Sequence, residues 1–317
     1  MSRGRSQGGL PPDDVVQDEA AILRDCERLI REHHDPRPGA MTRIALAPCS
    51  PFSVTDDLMR RTAELARSQG VRLHTHMAET ADEERYCQEV YGCRPAEYLR
   101  RLGWLGSDVW LAHCVHLSDD EIRLFGETGT GVAHCPSSNF RLGSGIAPVR
   151  KMLDAGVPVG LGVDGSASND SSNLMAETRQ ALLAHRLDPD PTRWLTAFEV
   201  LWLATRGGAR CLGRDDIGCL APGKAADLIL IDTRRLSYAG AGSDILAGLV
   251  FSPWPEPVEA AIVNGELVVD EGRILGLDVA RLVERADSIS QALLRAASQR
   301  TGRDYFSNDR DAGPRHP

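Results

Sequence analysis

The feature that most constrains this chain is one repeating unit: a short apolar run closed by a polar residue, then a loop, then an amphipathic helical pattern. The runs are Arg43–Cys49, Val71–His76, Val109–His113, Gly131–Cys135 and Pro158–Asp164. The helical patterns that follow them cover Ser53 or Thr55 to Ser68, Ala81–Tyr91, Ser118–Thr128, Ala147–Ala155 and Leu174–His185. Apolar runs of strand length alternating with helices predict parallel β/α units. Their polar residues gather at the C-terminal ends: Cys49, His76, His113, His134 with Cys135, and Asp164. In a parallel barrel those ends share one face, where the loops build a site. A doubly wound sheet is the alternative, but it favours a Gly-rich phosphate turn after its first strand, and none is present.

The flanking segments read differently. The first residues, through Pro11-Pro12, read as loop, and Asp13–His33 as a helix with Val16, Leu23 and Ile30 on its apolar face. Thr196–Cys211 predicts one more helix. Ile217–Asp232 then reads as turn and strand, and Pro257–Val269 as a hairpin about Asn264-Gly265. A helix over Val279–Ser298 and a polar tail from Gln299 close the chain. The expected division is a barrel portion over residues 1–212, a small β unit over 213–275, and a terminal helix with tail over 276–317.

Composition narrows the partners. Lys+Arg 36 against Asp+Glu 45 leaves a net charge of −9, which argues against a phosphate-seeking surface and for a small-molecule partner rather than nucleic acid. No run of 18 apolar residues occurs, and the start lacks the apolar centre of a secretory signal. The expectation is a cytoplasmic protein without a membrane partner. Eight cysteines without CxxC spacing are expected as reduced thiols.

The densest chemistry is His74-Thr-His76-Met-Ala-Glu79. Side chains two apart on a strand share a face, so His74 and His76 could both face a barrel axis. Glu79 lies just past the strand end, where a carboxylate can shuttle a proton without ligating a metal. His113 and Asp164 add an imidazole and a carboxylate from other strands. Two imidazoles and a carboxylate suit zinc or iron rather than calcium or magnesium. His134 reads either as a substrate contact or as a neutral core imidazole. His33, His34, His185 and His316 read as solvated. The charge runs Asp82-Glu-Glu-Arg85 and Arg214-Asp-Asp216 read as solvated faces or caps. Cys49 and Cys135 read as buried thiols before substrate contacts.

Four segments in this order, His74-Thr-His-Met-Ala-Glu-Thr, Leu111-Ala-His-Cys-Val-His-Leu, Val132-Ala-His-Cys-Pro-Ser-Ser-Asn and Leu161-Gly-Val-Asp-Gly-Ser-Ala-Ser-Asn-Asp, resemble the amidohydrolase superfamily, in its branch of aminohydrolases acting on purines and related heterocycles. Pro222-Gly-Lys-Ala-Ala-Asp-Leu-Ile-Leu-Ile-Asp is similar to the family's return into its small β-sandwich. The resemblance implies a (β/α)8 metallo-dependent hydrolase barrel with part of a β-sandwich, and a divalent metal, zinc first and iron second. It makes His76 the strand-five metal ligand, Glu79 the proton-shuttling acid, His113 the strand-six histidine that polarises substrate or water, and Asp164 both strand-eight ligand and base. It implies hydrolytic deamination of an aminated purine, foremost 8-oxoguanine to urate and ammonia, with an aminotriazine as the alternative. Cys49, Ser50, Cys135 and Asn139 are the strand-end candidates for substrate contact. Homo-oligomers are common in this branch. The family's first-strand His-x-His pair has no counterpart here, so strands one to three are expected to be missing from the chain. The chain itself is then either part of an active enzyme or a non-catalytic remnant of one.

Overall fold

The computed structural model describes residues 1–252 and 258–306. Pro257, at the start of the expected hairpin, and His316 with the end of the expected tail lie outside the described residues. Five strands, β1 (Ala45–Leu46), β2 (Arg72–Met77), β3 (Val109–His113), β4 (Gly131–His134) and β5 (Val159–Leu161), pair in chain order and all in parallel. Helix α1 (Glu19–His33) precedes the sheet. Helix α2 (Asp56–Gln69) joins β1 to β2, α3 (Ala81–Tyr91) and α4 (Pro95–Arg101) join β2 to β3, α5 (Asp119–Thr128) joins β3 to β4, and α6 (Pro136–Arg141) with α7 (Val149–Asp154) joins β4 to β5. Beyond β5, α8 (Leu174–Ala184) leads to α9 (Ala197–Trp202), which passes through a π-helical turn at Leu203–Gly207 into α10 (Gly208–Cys211). The alternation of strands and helices is the parallel β/α arrangement that the sequence pattern predicts.

The helix ends follow local chemistry. Thr55 caps α2 by accepting the Leu58 N–H at 3.1 Å, and Gly70 ends that helix at φ 66°. Ser118 and Glu121 exchange hydrogen bonds in a capping box at the start of α5. The helix expected from Asp13 starts later: Asp18 is its cap, accepting the Ala21 N–H at 2.8 Å, and Asp13–Val15 is a 3-10 turn. Helices α4 and α6, each opened by a proline at its first position, fall in segments to which the sequence pattern assigned no helix.

Along β2 burial alternates. Leu73, Thr75 and Met77 are fully buried; Leu73 and Met77 share a core with Leu58 and Met59 of α2. Arg72, His74 and His76 are half-buried on the other face. One glycine contact fixes how the last helical run sits on the sheet. A Cβ on Gly160 would come within 2.8 Å of the Gly208 Cα, and one on Gly207 within 2.2 Å of the Val159 carbonyl oxygen, so backbone packs on backbone there.

The second sheet is antiparallel, in the order β6 (Leu228–Leu230), β7 (Ala260–Val263), β8 (Glu266–Asp270) and β9 (Arg273–Ile274), with helix α11 (Ile245–Phe251) between β6 and β7. The Asn264-Gly265 turn joins β7 to β8, both residues with positive φ. Helix α12 (Val279–Thr301) follows, three residues longer than its sequence pattern suggested and with no buried residue. Among the described residues no helix is long and apolar enough to cross a membrane. All eight cysteines are free.

Candidate metal and acid-base site

The site forms where β2, β3 and β5 end. Met77 pairs with His113 and His76 with Ala112, which sets the imidazoles of His76 and His113 side by side, ring centroids 5.4 Å apart and nearly parallel. Each strand leaves the sheet through a left-handed residue: Ala78 (φ 50°), His113 (φ 71°), Cys114 (φ 52°) and Asp164 (φ 62°). Such conformations cost a non-glycine residue of the order of 1 kcal/mol or more and concentrate at functional sites. One ligating atom each from His76, His113 and Asp164 lie within 4.8 Å of one another. Glu79 Oε2 stands 3.7 Å from His113 Nε2, and Asp164 Oδ2 3.9 Å from the same nitrogen.

Each group is held from behind. His76 Nδ1 meets the Cys49 carbonyl at 2.7 Å; a carbonyl can only accept, so Nδ1 carries the proton and Nε2 is left to bind. His113 Nδ1 is held in the same way by Asn139 Oδ1 at 2.9 Å. Asp164 accepts the Ser138 hydroxyl at 2.5 Å and the Ser168 hydroxyl at 3.0 Å on one oxygen, and the Gly165 N–H at 2.7 Å on the other. Burial pushes the Asp164 carboxyl up, but these donors, with His113, hold it below the ordinary carboxylate value. The Cys49 side chain and carbonyl raise His76 to about 9 against the effect of its burial. His76 and Asp164, each anchored from behind and with His113 beside them, are donors that fit zinc or a similar divalent ion.

The remaining residues singled out in the sequence take other places. His74 shares the face of His76 but sits deeper, stacked on Trp110 at 4.9 Å with Nδ1 on the Trp110 carbonyl, and burial lowers it to about 4. Ser50 is buried with its hydroxyl on Ser53, Cys135 is buried against the Ala133 carbonyl, and Asn139 is fully buried against His113. Cys49 is half-buried beside His76. His134 is fully buried on the opposite side of β4, edge-on to His185 at 5.9 Å, with neither ring nitrogen bonded.

Three residues expected in solvent are not there. His185 is buried with Nδ1 on the Ala181 carbonyl. Asp216 is buried, paired with Arg214 and accepting the Gly39 N–H at 2.7 Å. Glu83, within a run of charges, is 1% exposed and turned under the end of β2. Sequence reasoning also missed Glu177, fully buried, which accepts the Ser137 N–H at 3.0 Å and the Asn169 side-chain amide at 2.8 Å. Tertiary packing decides these four.

The sequence pattern of the Amidohydrolase family matches residues 9–268. The chain belongs to that family. It is 49% identical to 8-oxoguanine deaminase of Pseudomonas aeruginosa over 93% of this chain and 65% of that protein. It is 38% identical to hydroxydechloroatrazine ethylaminohydrolase of a Pseudomonas species, over 91% of this chain and 60% of that protein. Among solved structures, atrazine chlorohydrolase from Arthrobacter aurescens complexed with zinc superposes with a TM-score of 0.87 at 38% identity, covering 91% of this chain and 64% of the other. An adenosine deaminase from Xanthomonas campestris with bound zinc gives 0.82 at 32% identity, covering 89% and 64%. The chain therefore spans less than two thirds of the length of each of these relatives.

Proposed function

We propose that this chain carries the metal and acid-base half of a hydrolytic deaminase acting on an aminated purine, with 8-oxoguanine, converted by water to urate and ammonia, as the substrate. The observation that carries it is the convergence of His76, His113 and Asp164 within 4.8 Å, with the Glu79 carboxylate beside them. His76, anchored through the Cys49 carbonyl, and Asp164, anchored through Ser138, Ser168 and Gly165, would hold the ion. A divalent ion there supplies Lewis acidity that brings the pKa of a water toward neutrality. Asp164 takes a proton from the attacking water. Glu79 delivers a proton to the ring nitrogen beside the carbon that bears the amino group. His113 Nε2, its Nδ1 proton committed to Asn139 Oδ1, accepts a hydrogen bond from the attacking water and so orients and polarises it. Asp164 returns its proton to the amino group, which departs as ammonia, and the remaining hydroxyl proton passes back to Glu79 as the carbonyl of the product forms.

Likeness to the 8-oxoguanine deaminase, at 49% identity, favours the purine over the aminotriazine reading suggested by the 38% relative. The site is tested by zinc content. In the full-length protein, His76→Ala and Asp164→Ala should each lower zinc per chain together with turnover, since each removes a direct ligand. Full zinc and full turnover in either variant would remove that residue from the ligand set.

A further inference from the structure

We propose that Glu83 is the positioning residue for Glu79, a role that rests on the reading of Glu79 as the proton carrier. Glu83 is the third residue of α3, three beyond the cap Thr80, in the Thr-x-x-Glu spacing of a capping box. Two other helices with that spacing show what it ordinarily does. Glu121 returns to the N–H of its own cap Ser118 at 2.8 Å, and Glu199 to the N–H of its cap Thr196 at 2.8 Å. Glu83 does something else. Its two oxygens reach past Thr80 to the preceding turn, Oε1 accepting the Ala78 N–H at 2.8 Å and Oε2 the Glu79 N–H at 3.3 Å. The Thr80 side chain makes no cap bond at all.

The turn held this way carries the site. Ala78 is left-handed at φ 50°, a conformation that alanine adopts only when its surroundings impose it. The Ala78 carbonyl is taken on its other side by the N–H groups of Val115 and His116, both at 2.9 Å. The backbone at Ala78 is thus fixed from β3's side and from α3's side, and Glu79 leaves it with its carboxylate 3.7 Å from His113 Nε2. A carboxylate accepts two N–H bonds at once; glutamine offers one acceptor and turns an amide N–H₂ against the other donor, and aspartate is one methylene short. Glu83 is 1% exposed, and burial pushes its carboxyl up to about 7 against the pull of the two N–H groups. An acid kept in so unfavourable a place fits a geometric task rather than a solvated one.

The test is a double-mutant cycle in the full-length, zinc-loaded protein, following ammonia release from 8-oxoguanine with zinc per chain measured beside it. Glu83→Gln should lower kcat by about 10- to 100-fold with KM and zinc unchanged, and should cost nothing further in a Glu79→Gln background. Equal loss in both backgrounds, loss of zinc in step with kcat, or kcat within twofold of the parent would overturn the proposal. Full turnover in Glu79→Gln alone would show instead that the shuttle reading is wrong, and the positioning role would go with it. Amide hydrogen exchange in the unaltered protein gives a reading that needs no variant to fold: the Ala78 and Glu79 amides should be as protected as those of β2, and rapid exchange at either would refute the contact.

Discussion

His134 allows a stability effect to be worked out from one side chain. It is fully buried, faces the edge of the His185 ring, and has no hydrogen bond at either nitrogen, so burial lowers its pKa from 6.5 to about 3. A base whose folded pKa lies below its unfolded value holds the fold together best when neutral. Its contribution is intact above pH 6.5 and is lost as pH falls toward 3, because the unfolded chain binds the proton that the folded one refuses. Between pH 7.5 and pH 5 this amounts to about 1.5 units of linkage, or about 2 kcal/mol at 1.36 kcal/mol per unit. His134→Leu removes both the titration and two unbonded nitrogens at similar volume. Urea unfolding of parent and variant across this pH range isolates the effect, since His74 and His185, also lowered by burial, titrate in both proteins. The variant should be at least as stable at pH 7.5 and should lose about 2 kcal/mol less than the parent by pH 5. Parallel curves would show that His134 is hydrated or bonded in solution and that the argument from burial fails.

Two further outcomes follow from the site. Glu79→Gln should keep its zinc and lose about 100-fold or more in turnover, because the amide has the acid's size but cannot carry a proton; metal analysis beside a rate assay decides it. Glu177→Ala should destabilise the fold by about 2 kcal/mol or more in urea, since it strands the Ser137 N–H and the Asn169 amide in the interior, and should weaken zinc binding by loosening the loops that hold Asp164.

What the sequence revealed and what it hid have physical causes. Strand ends were legible because alternation puts His74 and His76 on one face of β2, and the start of α2 was legible to within Ser53 or Thr55 because capping is chemistry within three residues. The supporting carboxylates were not. Glu83 sits in a run of four charges that reads as a solvated face or a cap, and only the turn of the chain above it makes its carboxylate an acceptor for Ala78 and Glu79. Asn139 read as a candidate substrate contact because it follows a strand end; its place behind His113 depends on one turn of α6, which the strand-end pattern does not carry. That helix did leave a local signal, Pro136 at its first position, in a segment to which the sequence pattern assigned no helix.

Metal-dependent release of ammonia from a purine is the reaction the proposed site would carry out. The direct measurement takes the full-length protein, strips it with a chelator, restores zinc in steps, and follows ammonia and urate formation from 8-oxoguanine, with isoxanthopterin and a hydroxylated aminotriazine in parallel. Turnover should be absent in the stripped protein, rise with zinc to a plateau, and be fastest on 8-oxoguanine. Undiminished turnover after complete removal of metal, or zinc bound at His76 and Asp164 with no ammonia from any of the three, would contradict it.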